Sequence, residues 1–446
     1  MNIGFAAKTC FLLFFAVCLA GCSDTPFSTK EPVVLTLWQV YGGQTNSPMN
    51  DLVEHFNQTV GRQEGITVNV TSISNSTDIH FALVAAAKKL PGAAELPDMF
   101  TTYPKTVLAI DRNLLLDWND WLDSEELDTF DPSFIEEGTV DGLLALLPIA
   151  KSSSALFINA TIFDQFAQET GVTYEDIATM EGMFAVAKKY YHWSGGKAFF
   201  KYDDWMHYGM VNTASLGEEF FQNEAINFQS AAFAAIWKKL AIAAISGEAS
   251  LLGGYATTGM MTGEVLCGIE STASALYFKD QVTFPDNTTI PLRLKVLPVP
   301  YFKDGKRLAI QRGGGLGVIR STKDKERAAV IFGKWLTEPE NNVPFVVKTG
   351  YFPVKKAAYK NFLASDSDVF PGDKYREVYE AVLEIHNNYE FYIPPFFTAF
   401  GDIEKRYCDA QMAIFKKYRG QVEQDILYSE AFLQEIFQEL EEAINK

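Results

Sequence analysis

The stretch VVLTLWQVYGGQTNSPMNDLVEHFNQTVGRQEGITVNVTSISNSTDIHFALVAAAKKLPGAAELPDMFT, residues 33–101, switches its apolar period repeatedly, and those switches set the fold class. Residues 33–38 form a short run rich in β-formers, while Leu52, Val53, Phe56 and Val60 recur at helical spacing within 51–60. Residues 66–72 then alternate as a half-buried strand does, 78–89 read as a second helix, and 98–101 as a third strand. The resulting order, β-α-β-α-β, predicts a parallel sheet with helices on its faces.

Outward from that stretch, strand-like runs recur at 155–158, 266–269, 292–297 and 316–319, with long helical patterns between them. Beyond Phe400 the chain reads as helix almost throughout, most clearly where Phe432, Leu433, Ile436, Phe437, Leu440 and Ile444 share one side. A chain of 446 residues exceeds the size at which one core usually stops growing, so at least two lobes are expected. Its composition, 48% apolar and 21% charged, is that of a globular protein. A net charge of −18 argues against a nucleic-acid partner and against a strongly anionic ligand.

Toward the N-terminus, an apolar run at 10–20 ends in Leu19-Ala20-Gly21-Cys22, which reads as a lipobox: small residues at the cut, then a thiol for the lipid. The run is well short of the roughly 20 residues needed to cross a bilayer. Residues 1–21 are therefore expected to be a lipoprotein signal peptide, with Cys22 lipidated and 22–32 a tether rich in Ser, Thr and Pro. Only Cys267 and Cys408 remain in the body, without metal-site spacing. Two separately buried thiols are the favoured reading, and an oxidising exterior leaves a bridge open.

Ligands of α/β proteins sit beyond strand ends or between domains, which directs attention to Gln39-Val40-Tyr41-Gly42-Gly43 and Thr101-Thr102-Tyr103-Pro104. Both mix amide or hydroxyl groups with an aromatic ring, a combination suited to sugars, whose C–H faces pack on rings while their hydroxyls take directed hydrogen bonds. Asp203, Asp204 and Trp205 offer carboxylates beside a ring in the same sense. The glycines at 313–315 lack the Gly-Lys-Ser/Thr ending of a phosphate-cradling loop. Two carboxylates would suffice for glycoside hydrolysis, but the acid-rich run 117–131 reads as a solvated helix face and turn. No HExxH or GxSxG motif is present, and neither an enzymatic activity nor a cofactor is expected.

The block QRGGGLGVIRSTKDKERAAVIFGKWLTEPENNVPFVVKTGYFPV, residues 311–354, resembles the signature region of the carbohydrate-type (family 1) extracellular solute-binding proteins of bacterial ABC importers. That region has a Gly-rich turn and strand, a helix with an aromatic-x-x-aromatic-Leu pattern, a "PEN" helix start and a "TGYxPV" ending; here these are 313–315, 332–336, 339–341 and 349–354. The resemblance extends to Leu96-Pro97-Asp98-Met99-Phe100, to LPIAKSSSALFIN at 147–159, and to 261–275. In the last of these an expected "GxW" is replaced by Gly268-Ile269-Glu270-Ser271-Thr272.

The resemblance implies a two-lobed α/β fold of the periplasmic-binding-protein kind, with a hinged cleft between lobes and a helical C-terminus. Lobe 1 would hold 33–148 and 300–336, lobe 2 would hold 149–299 and 337–446, and hinges would fall near 148–152, 297–301 and 336–339. It also implies a sugar ligand, two permease subunits as partners, a monomer anchored to the plasma membrane through Cys22, and a cleft lined by Trp38, Gln39, Tyr41, Thr102, Tyr103, Ser152, Ser153, Asp204, Trp205, Ser271, Thr272, Gly314 and Tyr351. Relatives that bind glycerol phosphate should offer a cation near 394–400; PPFFTAF offers none, which favours a neutral sugar, and its phenylalanines read as core. A sugar-sensing receptor, a polyol or glycerol-phosphate carrier and a glycoside hydrolase are the alternatives.

Overall fold

A computed structural model describes residues 27–41, 47–363, 370 and 372–445. The leader, the lipobox at Cys22 and the glycines after Tyr41 lie outside the described residues. Nine strands matter for the site: β1 (Val33–Gln39), β2 (Ile66–Ser72), β3 (Met99–Thr102), β4 (Leu147–Pro148), β5 (Ser154–Asn159), β6 (Ala198–Tyr202), β7 (Val265–Ser271), β8 (Leu294–Pro298) and β9 (Gly315–Val318).

Two sheets result. The first has the order β2-β1-β3-β9-β4, and the second β8-β5-β7-β6. In the first, β1 runs parallel to β2 in the register Val33↔Ile66 through Gln39↔Ser72 and parallel to β3 at Leu37↔Met99, as the β-α-β-α-β order requires. Strand β9 enters from far along the chain and lies antiparallel between β3 and β4, pairing Gly315 with both Thr102 and Pro148. In the second sheet β5 is central and antiparallel to β7 and β8, while β7 runs parallel to β6. The chain is thus a two-lobed mixed α/β fold.

Local chemistry explains most boundaries. The first helix, expected over 51–60, begins earlier at Pro48, because Ser47 caps it by accepting from Asn50 N and proline suits the first turn. It stops at Gln58, and a separate turn of helix, Val60–Glu64, ends on Gly65 at φ 72°. Strand β6 has no counterpart in the sequence reading: four of its five residues are buried, so no period of two marks it. The C-terminal helices Phe400–Tyr418 and Glu430–Asn445 pack on Ala231–Ser246, with Phe233 against Phe437 at 5.3 Å and Trp237 Nε1 donating to Gln411 Oε1 at 2.8 Å.

The expected tether is shorter than residues 22–32. Phe27 already docks on the first lobe: its N–H donates to Glu64 O at 2.9 Å, and the Arg327 guanidinium lies 4.6 Å over its ring. Burying an aromatic ring under a cation favours order where composition alone suggested a free linker. Cys267 and Cys408 are separate thiols, and Cys267 is buried in β7. Among the described residues no helix is long and apolar enough to cross a membrane.

Candidate functional site

Where the chain passes between the sheets, the crossing segments are bound to each other. Ser152 and Arg312 exchange backbone hydrogen bonds at 2.8 and 2.9 Å, and Lys151 N donates to Phe352 O at 3.3 Å. Beneath them the Lys151 ammonium lies 3.0 Å from Glu137 Oε2, with side-chain exposures of only 3% and 1%. The same ammonium donates to Gly313 O at 3.2 Å, and Gln311 Nε2 donates to Glu137 and to Ser133 O. A buried pair is tolerable only when its remaining hydrogen-bonding capacity is met in this way.

The glycines beside this knot are required by the protein's own backbone. Gly313 has φ 93°, and a Cβ there would stand 2.5 Å from Ala150 O; one on Gly314 would stand 2.7 Å from Thr102 O. Gly314, expected to admit a ligand, instead admits β3.

From this knot rises a wall of tyrosines. The Tyr41 ring is buried and meets Tyr351 edge-on at 5.1 Å and Phe345 at 5.4 Å, and its hydroxyl points at Gly314 O, 3.5 Å away. Tyr103 stands near enough to Tyr41, Tyr351 and Glu137 to be coupled to them electrostatically, and its hydroxyl reaches the Gly313 backbone. Burial pushes all three phenols up from their ordinary value, opposed at Tyr103 by the Arg312 guanidinium, so they stay neutral donors at any physiological pH.

Near the wall are two tyrosines that sequence reasoning missed. Tyr255 precedes helix Ala256–Thr262 and is 69% exposed; Tyr277 closes the short helix Thr272–Tyr277 after β7 and is 64% exposed. Tyr255 lies within electrostatic reach of Tyr103, and Tyr277 of Tyr351, near the partly buried wall. An aromatic following Gly253-Gly254 was the available signal for the first, and the segment 261–275 ends just short of the second.

The other expected residues divide into two groups. Ser152 and Ser271 approach each other across the crossing, 3.5 Å between hydroxyl oxygens, and Thr272 N donates to Ser153 O at 2.9 Å. The Ser153 and Thr272 hydroxyls are buried and have no hydrogen-bond partner. These four lie together where the crossing segment meets the end of β7.

The second group serves the fold. Gln39 is fully buried, with Nε2 bonded to Ser47, Asn50 and Ser72 at 3.1, 3.1 and 2.8 Å, so its amide ties β1 to β2 and has no donor to spare. Trp38 packs on the smaller apolar cluster with Ile79, Leu83 and Phe100. The Thr102 hydroxyl donates to Thr106 at 2.7 Å. Trp205, read as a platform for a sugar ring, is only 6% exposed and faces Phe415 edge-on at 5.9 Å, because Asp204 caps the helix that begins with it and turns the indole inward. Phe397 and Phe400 pack on Phe221 as core.

Carboxylates line the second lobe's side. Burial works to raise the Asp204 carboxyl, but His207, whose N–H donates to Oδ1 at 3.0 Å and whose Nδ1 lies 2.9 Å from Oδ2, holds it below the usual range. Asp203 accepts from Lys201 at 2.8 Å and from Ala256 N at 2.6 Å. Glu270, almost wholly buried on β7 and accepting from the Thr257 hydroxyl, is pushed up to about 7 by burial and then by Asp203. Beside Asp203 and Asp204 a cavity of about 350 Å³ reaches Glu404 on helix Phe400–Tyr418.

The family described as "Bacterial extracellular solute-binding protein" matches residues 51–371 of this chain. No curated protein matches it. Among solved structures, the ABC substrate-binding protein Lmo0181 from Listeria monocytogenes in complex with cycloalternan superposes with TM-score 0.69 at 16% identity, covering 93% of this chain and 98% of that one. Maltose-bound MalE3 of T. maritima gives 0.67 at 17%, covering 92% and 99%. UgpB from Mycobacterium tuberculosis in complex with glycerophosphocholine gives 0.66 at 14%, covering 92% and 97%.

Proposed function

Because the chain belongs to the bacterial extracellular solute-binding proteins, we propose that it captures a sugar between its lobes and delivers it to the permease subunits of an ABC importer. The observation that carries this reading is the gathering of buried Tyr41, half-buried Tyr103 and Tyr351, and exposed Tyr255 and Tyr277 around the crossing segments. Such rings suit the C–H faces of a saccharide, and neutral phenols together with the Ser152, Ser153, Ser271 and Thr272 hydroxyls suit its hydroxyls. Relatives in fold were solved with maltose, cycloalternan and glycerophosphocholine, which supports a saccharide first and a phosphodiester second.

Lobe 1 is assigned 33–148 with 300–336 and lobe 2 the remainder, turning on hinges near 148–152, 297–301 and 336–339. Closure is a hinge motion, and the ligand drives it by its higher affinity for the shut state. The protein works outside the cytoplasm as a monomer, held to the plasma membrane by a lipid on Cys22. No catalytic step is assigned.

The test is a melting-temperature and tryptophan-fluorescence titration against mono- and oligosaccharides, polyols and glycerol phosphodiesters. One saccharide class should raise the melting temperature saturably; at a hundred times its Kd the stabilisation is about 2.7 kcal/mol. A response only to polyols or phosphodiesters would replace the sugar assignment. Radiolabelled palmitate incorporation that disappears in Cys22→Ala tests the anchor.

A further inference from the structure

Of the charged groups at the crossing between lobes, Arg312 makes no ion pair within 4.0 Å among the described residues. Arg312 is partly buried, and its backbone is fixed on both sides by Ser152. Its neighbours' polar groups are engaged: Gln311 Nε2 with Glu137 and Ser133 O, Gly313 O with Lys151, and Gly314 O with Tyr41. The other cation of this knot, Lys151, is matched by Glu137. The Arg312 guanidinium alone makes neither an ion pair nor a side-chain hydrogen bond among the described residues. Charges taken partly out of water are ordinarily paired, so a missing partner calls for an explanation.

Its surroundings locate it in the cleft. The guanidinium acts electrostatically on Tyr103 and Tyr351 of the wall, and on Tyr202, Asp204 and Glu404. Asp204 already has His207 against both of its oxygens. Glu404, on helix Phe400–Tyr418, is the remaining protein candidate. A guanidinium presents a rigid planar fork of donors that fits a carboxylate, phosphate or sulfate with two parallel hydrogen bonds.

We infer that the ligand carries an acidic substituent and that Arg312, held rigidly at the lobe crossing among the cleft tyrosines, is the residue that clamps it. This rests on the sugar-binding reading and narrows it to acidic saccharides: uronates, sugar phosphates or sugar sulfates. It departs from the neutral sugar that the cation-free segment 394–400 favours, because the cation comes from the crossing strand instead. Recognition is the fork on the anion and tyrosine rings on the sugar faces, with hydroxyls from both sides between them.

The experiment is calorimetric titration of the protein, Arg312→Gln, Arg312→Lys and Glu404→Gln with matched probes: glucose, glucuronate, glucose 6-phosphate and glucose 6-sulfate, and galactobiose against digalacturonate. At least one acidic probe should bind about 10- to 100-fold tighter than its neutral match, the range expected of a charged hydrogen-bonded contact. Arg312→Gln should erase that preference while leaving the melting temperature of the free protein unchanged, and Arg312→Lys should keep part of it. The acidic member that binds distinguishes carboxylate from phosphate or sulfate. Neutral probes binding as tightly as acidic ones would overturn the inference and leave the sugar reading standing. Equal losses for both kinds in Arg312→Gln, reproduced by Glu404→Gln, would also overturn it and make the pair a latch between lobes. If no saccharide of either kind binds, the sugar reading fails and the inference with it.

Discussion

Two groups of tyrosines around the crossing segments are built to opposite rules. In one, Tyr41, Tyr103 and Tyr351 interlock with Phe345 above a buried Lys151–Glu137 pair, and folding itself sets their geometry. In the other, Tyr255 and Tyr277 stand largely in solvent at the ends of two short helices. One group is thus preorganised, which spares a ligand the entropy of ordering it. The exposed pair is adaptable, and it gains contacts when a ligand arrives, so its contribution goes to affinity. Stability and affinity should therefore separate by group.

The largest effect should come from Tyr41→Ala, which removes a buried ring from two aromatic contacts and should lower unfolding free energy by about 3–5 kcal/mol in denaturant titration. A loss below about 1 kcal/mol would mean that the wall is no more fixed than the exposed pair. Glu137→Gln should cost a similar or slightly smaller amount, about 3 kcal/mol, because it leaves the Lys151 ammonium buried without its counter-charge. Chemical denaturation of Glu137→Gln with Lys151→Met should recover much of that loss.

Glu270 supplies a pH test. Its folded value, about 7, exceeds the ordinary 4.5, so the folded state binds the proton more tightly than the unfolded one. Stability from this group is fully present below pH 4.5 and is lost as pH rises to about 7, a change on the order of 3 kcal/mol. Glu248, also raised to about 7 by burial, acts in the same direction, so the readout is the difference between the protein and Glu270→Gln across pH 4–8. An unchanged slope in the variant would place the titration elsewhere. The smallest change in stability belongs to Tyr255→Ala with Tyr277→Ala, within about 0.5 kcal/mol per site, although affinity for the ligand should fall about tenfold. A large stability loss there would erase the distinction between the groups.

The same contrast explains what was legible in the sequence. Strands β1, β2, β5 and β9 announce themselves because their residues answer to a sheet's period or to full burial, and the resemblance over 311–354 supplied the two-lobed arrangement. Tyr41, Tyr103 and Tyr351 were expected because they sit at fixed offsets from those strands, and they do cluster. Tyr255, Tyr277 and Arg312 were not, since each lies in a loop or crossing segment whose direction only the assembled fold decides. Trp38, Gln39 and Trp205 pack or bond within the fold instead, because an aromatic or amide near a strand or helix end can turn inward, and side-chain direction follows from caps and neighbours rather than residue type.

Small-angle X-ray scattering of the protein with and without a saturating saccharide found by the melting titration tests the central claim most directly. Capture between hinged lobes predicts a smaller radius of gyration on binding, reached in the combined Tyr255→Ala, Tyr277→Ala variant only at about tenfold higher saccharide. An unchanged radius with the saccharide demonstrably bound would contradict the account and place the ligand on one lobe alone.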